Sequence, residues 1–324
     1  MRSRFLLGLV MMMAVASAAI ALPACGDDDD DDDAADAGSG TLEFYANGES
    51  FIRDGFVTKD GWTIGFDHFY VNYAGLTGIQ VAESDAALSV PPKHAGHPHN
   101  DIPEGAAHLA ATGAFWMDLA AGDDRSFITK VEDAPAGNYN YANFEVIHTA
   151  EGEYAGQSIV MIGSASKDAD TVPFIIRLDE QMVFSACHQE VDDEYAGVVE
   201  DGGTGSVEIT FHSDHIFGDE STLDDPDSVN PYALGFGPIA ALAVDGALDL
   251  TQSDLANGLS GDDYLVFIDA LRTTGHSGEG HCNYAAYTEE RNSPGTCNAR
   301  RCVSPVTLPV ALRLFCRPEP FLSP

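Results

Sequence analysis

The sequence predicts a mainly β protein, an antiparallel β-sandwich with a small C-terminal helical segment. Three observations lead there. Aromatic and β-branched residues gather in short runs, as pleated, half-buried strands require. Clusters of Gly, Asp and Asn separate those runs at intervals typical of antiparallel sheets. No alternating helix pattern falls between the runs, which argues against a doubly wound parallel sheet.

The longest run is "GWTIGFDHFYVNYAGL". Strict alternation puts Trp62, Ile64, Phe66, His68 and Tyr70 on one face and Phe69, Val71 and Tyr73 on the other, so the strand reads as buried on both sides. On that reading His68 is a hydrogen-bonded core residue. Further strands are expected at "GAFWMDLA", "NYNYANFEVI", "GQSIVMIGSA", "VPFIIRLD", "QMVFSACH" and "SVEITFHSD". His148 and His188 fall at strand ends and read as structural.

Helices come late. "TQSD" at Thr251 and "SGDD" at Ser260 each place an acid three residues after a hydroxyl, the capping-box pattern. The second box opens "YLVFIDALRTTG", expected to run as a helix to Gly275. Pro238 opens a further short helix.

The N-terminus sets the address. "MRSRFLLGLVMMMAVASAAIALPACG" has two early arginines, an apolar run too short for a bilayer span, and small residues before a cysteine. It reads as a signal over residues 1–24. Residues 25–40 follow as a tether, with seven consecutive aspartates from Asp27 to Asp33 that repel one another and stay solvated. The sandwich with its late helices is assigned to 41–290. Residues 291–324 form a Cys- and Arg-rich tail that reverses the acidic bias of the rest.

The "LPAC" stretch resembles the lipobox of bacterial lipoproteins, with Cys25 as the lipidated first mature residue. Gly26 stands where an inner-membrane retention aspartate would be, so the resemblance implies an outer-membrane anchor in the cell envelope. The order of lipobox, acidic tether, "DGWTIGFDHFYVNY", histidine-rich loop and "VEDAPAGNYNYANFEV" is loosely similar to metal-handling periplasmic β-sandwich lipoproteins. That likeness carries no catalytic residue across.

A formal charge of −37 and a pI near 4.2 disfavour nucleic acid and anionic lipid surfaces as partners. The chain has no GxSxG, GxxxxGK, HExxH or CxxC motif, so no common enzyme signature is present. In an exported chain, cysteines favour disulfides. Cys187 ends a strand and Cys282 follows the last helix, so a Cys187–Cys282 bond would staple the helical segment to the sandwich.

Eleven histidines against four lysines are the strongest chemical signal. His94, His97 and His99 lie in "PPKHAGHPHNDIPEGAAH", where proline and glycine exclude a long helix and allow a compact turn. His212 and His215 lie in "FHSDH"; their rings meet only if the strand breaks at Ser213, since continued pleating would send His215 to the other face. His276 and His281 lie in "HSGEGHC", a glycine-rich turn able to fold back on itself. Neutral imidazoles a few residues apart suit zinc or copper(II). The expected site joins the loop histidines to at least one from the other two groups. An exported lipoprotein that holds a transition-metal ion as chaperone, buffer or sensor is one reading. The other is a non-enzymatic envelope module contacting a polymer or a protein partner. A zinc hydrolase using Glu279 as base is a minor third.

Overall fold

The computed structural model describes residues 38–81, 102–189 and 197–287. Cys25, the aspartate tether, His94, His97, His99 and the 291–324 tail lie outside them. The described chain is mainly β, with two large sheets packed face to face and short helices, mostly late in the chain.

The smaller of these sheets has five strands in the order Gly280–His281, Gly275–Ser277, Thr204–Phe211, Ser39–Asn47 and Ser126–Pro135. The larger has ten, centred on the 18-residue strand Thr63–Gln80. That strand pairs with Ile159–Lys167 and Tyr141–Val146, and with the shorter Ala107–Ala110 and Ala114–Asp118. Pairing is antiparallel almost throughout. The two exceptions are Ser39–Asn47 beside Thr204–Phe211 and Asp170–Leu178 beside Leu248–Thr251, both parallel.

The sheets share one apolar core. Leu42 and Phe44 from the small sheet and Phe69, Val71 and Tyr73 from the large one are all fully buried in it. Phe69 meets Phe211 across the sandwich with ring centroids 5.4 Å apart. Burying each such side chain contributes roughly 1.5–3 kcal/mol, and this seats the end of Thr204–Phe211.

Strict alternation in Thr63–Gln80 does not hold. A register shift between Phe66 and His68 inserts an extra residue, Asp67, and the pleat changes phase. Phe66 therefore joins Phe69 on the core side, their rings 5.1 Å apart. His68 and Tyr70 pass to the other face. His68 is accordingly not a core residue: it is half exposed, bonded through Nδ1 to Asp118 Oδ2 at 2.7 Å and stacked on Tyr70.

The late helices start where their caps require. Thr251 and Asp254 form the reciprocal capping box of Gln252–Gly258, and Ser260 Oγ accepts from Asp263 N at the start of Gly261–Leu271. Pro238 sits in the first turn of Gly237–Ala240. The last helix stops at Leu271 and does not reach Gly275, because Gly275 has become the first residue of a sheet strand, paired with Phe211. Leu255, Phe267 and Leu271 bury the helices against the core. Cys187 and Cys282 are disulfide-bonded, tying the strand Met182–His188 to the chain just beyond the helices. No helix among the described residues is long and apolar enough to cross a membrane.

Candidate metal centre

The strand Thr204–Phe211 ends at its core anchor, and the chain turns at Ser213 into the short helix Asp214–Phe217. This is the break that lets both imidazoles of "FHSDH" meet. Ile216 and Phe217 are fully buried and hold the helix down, so His212, Asp214 and His215 are presented from a fixed corner. The His212 and His215 ring centroids are 5.6 Å apart.

"HSGEGHC" arrives from the other side. It is a hairpin in which Gly275–Ser277 pairs with Gly280–His281, placing His276 directly opposite His281. Two glycines make it possible. Gly278 holds φ +55 in the turn. Gly280 lies so close to the His188 carbonyl that an added Cβ would come within 1.7 Å of that oxygen. Because His276 also pairs with Thr210, the hairpin extends the small sheet beside the end of Thr204–Phe211.

Four histidines therefore gather in one place. His276 stacks on His212 with centroids 4.1 Å apart and planes at 28°, stands edge-on to His215 at 4.9 Å, and meets His281 at 4.6 Å. His212 and His276 are buried, His215 is partly so, and His281 is exposed, so the cluster runs from the interior to the surface. His212, Asp214 and His215 each offer a ligand atom, and those atoms lie within 4.8 Å of one another. His212 Nδ1 is 3.9 Å from Asp214 Oδ1, too long for a hydrogen bond and suited to two ligands flanking an ion. Thr273 Oγ1 meets His215 Nδ1 at 2.9 Å and orients that ring.

Polar satisfaction singles out the same corner. Of the seven buried side-chain polar atoms without a hydrogen-bond partner among the described residues, four are Thr210 Oγ1, Ser213 Oγ, Asp214 Oδ1 and His276 Nδ1. An orphaned buried polar atom costs about 1–3 kcal/mol, so a concentration of them marks a place built for a further partner.

The electrostatics agree. Burial, reinforced by the neighbouring His212, His215 and His281, holds His276 well below the usual imidazole range, so it is neutral and ligand-competent at pH 7. Burial raises the Asp214 carboxyl to about 6. Burial, then the Glu279 and Glu208 carboxylates, raises Glu49 to about 7. A cation would relieve both carboxylates at once.

The two groups expected from the sequence, His212 with His215 and His276 with His281, thus meet in one cluster. Glu279 is exposed on the hairpin turn. Exposed His108, on Ala107–Ala110, is the described end of the histidine-rich stretch. Two residues escaped the sequence reading as site members. Asp214 was legible, since it stands between two histidines in "FHSDH". Glu49 was not: it begins the helix Glu49–Arg53 and reaches His212 only through the fold, with Oε1 3.6 Å from Nε2.

No protein-family model, curated protein or solved structure matches this chain.

Proposed function

We propose that this is an exported, lipid-anchored protein that binds a divalent transition-metal ion, zinc or copper(II), in the cell envelope. The convergence of His212, Asp214 and His215 with His276 and His281 carries the reading. All donors are imidazole nitrogen or carboxylate oxygen, a set that suits zinc and copper(II) and gives no soft thiolate for copper(I). Both cysteines among the described residues, Cys187 and Cys282, are locked in a disulfide.

His212, Asp214 and His215 act as the scaffold ligands. Three protein ligands leave a fourth position on a tetrahedral ion, open to His276, whose ring stacks on His212, or to one of His94, His97 and His99 as the sequence leads us to expect. A site with three scaffold ligands and an open fourth position exchanges its ion more readily than a closed structural site, which fits a chaperone, buffer or sensor. The acyl-bearing Cys25 and the aspartate tether keep it at the membrane, on the outer-membrane side of the envelope.

Calorimetric titration of the protein with zinc and with copper(II), in moderate salt, tests this. One stoichiometric site in the parent, lost in His212→Ala and weakened in His97→Ala, supports the shared site. Weak binding that survives both substitutions is the behaviour of a diffuse acidic surface and rejects it.

One observation favours the envelope-module reading. Tyr70 and Trp116 on the large sheet and Tyr154 from the turn before Ile159–Lys167 form a partly exposed aromatic cluster, with centroids 5.4 Å, 5.8 Å and 6.1 Å apart. Retention on envelope polysaccharide, abolished by Trp116→Ala with metal binding intact, would establish that role.

A further inference from the structure

We propose that Glu49 is the positioning carboxylate of the metal centre, acting with the Gly278 carbonyl to hold His212 in the tautomer that binds the ion through Nδ1. The inference rests on the metal reading and adds a residue that the ligand set does not contain.

His212 presents its two nitrogens to different surroundings. Nε2 faces the Gly278 carbonyl oxygen at 3.4 Å and Glu49 Oε1 at 3.6 Å. Nδ1 faces Asp214 Oδ1 at 3.9 Å, on the side of the His212–Asp214–His215 group. A carbonyl oxygen only accepts, so Nε2 carries the hydrogen and Nδ1 keeps its lone pair. The lone pairs of one imidazole diverge, so Glu49 and Asp214 cannot hold the same ion through this ring. Glu49 is therefore an outer partner. The Gly278 carbonyl takes the Nε2–H hydrogen bond and holds the ring, while the Glu49 carboxylate beside it raises the basicity of the metal-binding nitrogen through its charge, as carboxylate–histidine–metal arrangements do.

The chain holds Glu49 there at a cost. Its φ is +52, a left-handed value that non-glycine residues rarely adopt. Asn47 Oδ1 accepts the Glu49 N–H at 2.8 Å and the Arg53 guanidinium at 2.6 Å, while Asn47 Nδ2 donates to Glu208 at 2.7 Å. This network ties the turn before Glu49–Arg53 to the strand Thr204–Phe211, which delivers His212. The Glu49 side chain is 21 % exposed and turned toward His212.

The test is Glu49→Gln, which keeps shape and hydrogen-bonding capacity and removes the charge. Zinc affinity, read by chelator competition, should fall about 10- to 100-fold. The melting temperature of the metal-free variant should stay close to the parent's, because Gln keeps the side chain's shape and an acceptor oxygen. A merely structural Glu49 would instead lower the metal-free melting temperature and leave affinity unchanged, and that overturns the inference. Nitrogen NMR of the zinc-loaded parent gives a reading independent of any variant: hydrogen on His212 Nε2 and metal on Nδ1 support the assignment, and the reverse overturns it. A parent that takes up no zinc rejects the metal reading itself, whereas equal uptake by parent and Glu49→Gln rejects only the role of Glu49.

Discussion

His212 and His276 lie face to face, ring centroids 4.1 Å apart, one at the end of a core strand and the other in a hairpin far along the chain. Two neutral imidazoles in this arrangement are compatible; two imidazolium ions are not. Protonating either ring puts a positive charge against its neighbour, and His276 resists it most because it is buried. Metal affinity should accordingly fall as pH drops, first through the Asp214 carboxyl at about 6 and then, lower still, as His276 takes up its proton. Zinc affinity measured from pH 8 to pH 5 should show that loss, and a flat profile would contradict binding at these residues.

The hairpin is the most fragile support of the site. In Gly280→Ala the new Cβ would sit 1.7 Å from the His188 carbonyl oxygen, and backbone cannot swing aside as a side chain does. The hairpin must move, at about 1–3 kcal/mol of stability. Denaturant titration should show that loss together with weakened zinc binding, since both His276 and His281 ride on these strands.

Breaking the Cys187–Cys282 bond should act on the same region. It closes a loop with a sequence separation of 95, and native disulfides of this kind contribute about 2–5 kcal/mol. The variant with both cysteines changed to serine should melt earlier, and because Cys282 adjoins His281, its metal site should loosen too. Non-reducing digestion of the parent should yield the linked peptide.

Asp214 gives a stability profile with a definite sign. Its carboxyl ionises near 3.8 when unfolded and about 6 when folded, so in that interval the folded state holds the extra proton. Its contribution to stability is undiminished below pH 3.8 and declines as pH rises to about 6. Asp214→Asn removes this decline. Without metal, the stability of Asp214→Asn relative to the parent should grow from pH 4 to pH 6 and then level off. With saturating zinc the order should reverse, because the parent alone keeps the ligand. Chemical denaturation at several pH values, with and without zinc, measures both.

The anchor has its own assay. Cys25→Ser should stall processing or release the protein from membranes, since stable attachment needs the acyl chains. Normal processing with undiminished membrane association would refute lipidation at Cys25.

Much of the architecture was legible because the signals were local. Aromatic runs marked the strands, and the hydroxyl–acid pairs at Thr251 and Ser260 marked two helix starts within one turn. The positions of Cys187 and Cys282 suggested their pairing, which the structure contains, although spacing alone does not fix connectivity. The inserted residue at Asp67 was not legible, since nothing local in "GFDHFY" shows that the pleat changes phase, and so His68 was misplaced. Gly275 resembles a helix end in sequence; its pairing with Phe211 is a tertiary fact. The histidines were visible as three separate groups. What brought two of them together was the break at Ser213 and the sheet pairing of Thr210 with His276. Glu49 reaches the site through the parallel pairing of Ser39–Asn47 with Thr204–Phe211, and no spacing in the sequence announces a contact of that kind.

The central claim is that "FHSDH" supplies the ligands of a real ion, and X-ray absorption at the zinc edge of the zinc-loaded protein tests it most directly. The account predicts a first shell of nitrogen and oxygen near 2.0–2.1 Å with no sulfur, and outer-shell scattering from at least two imidazoles. In His212→Ala the imidazole scattering should drop and the protein should fail to retain stoichiometric zinc. A purely oxygen shell without imidazole scattering, or a spectrum unchanged in His212→Ala, would contradict it.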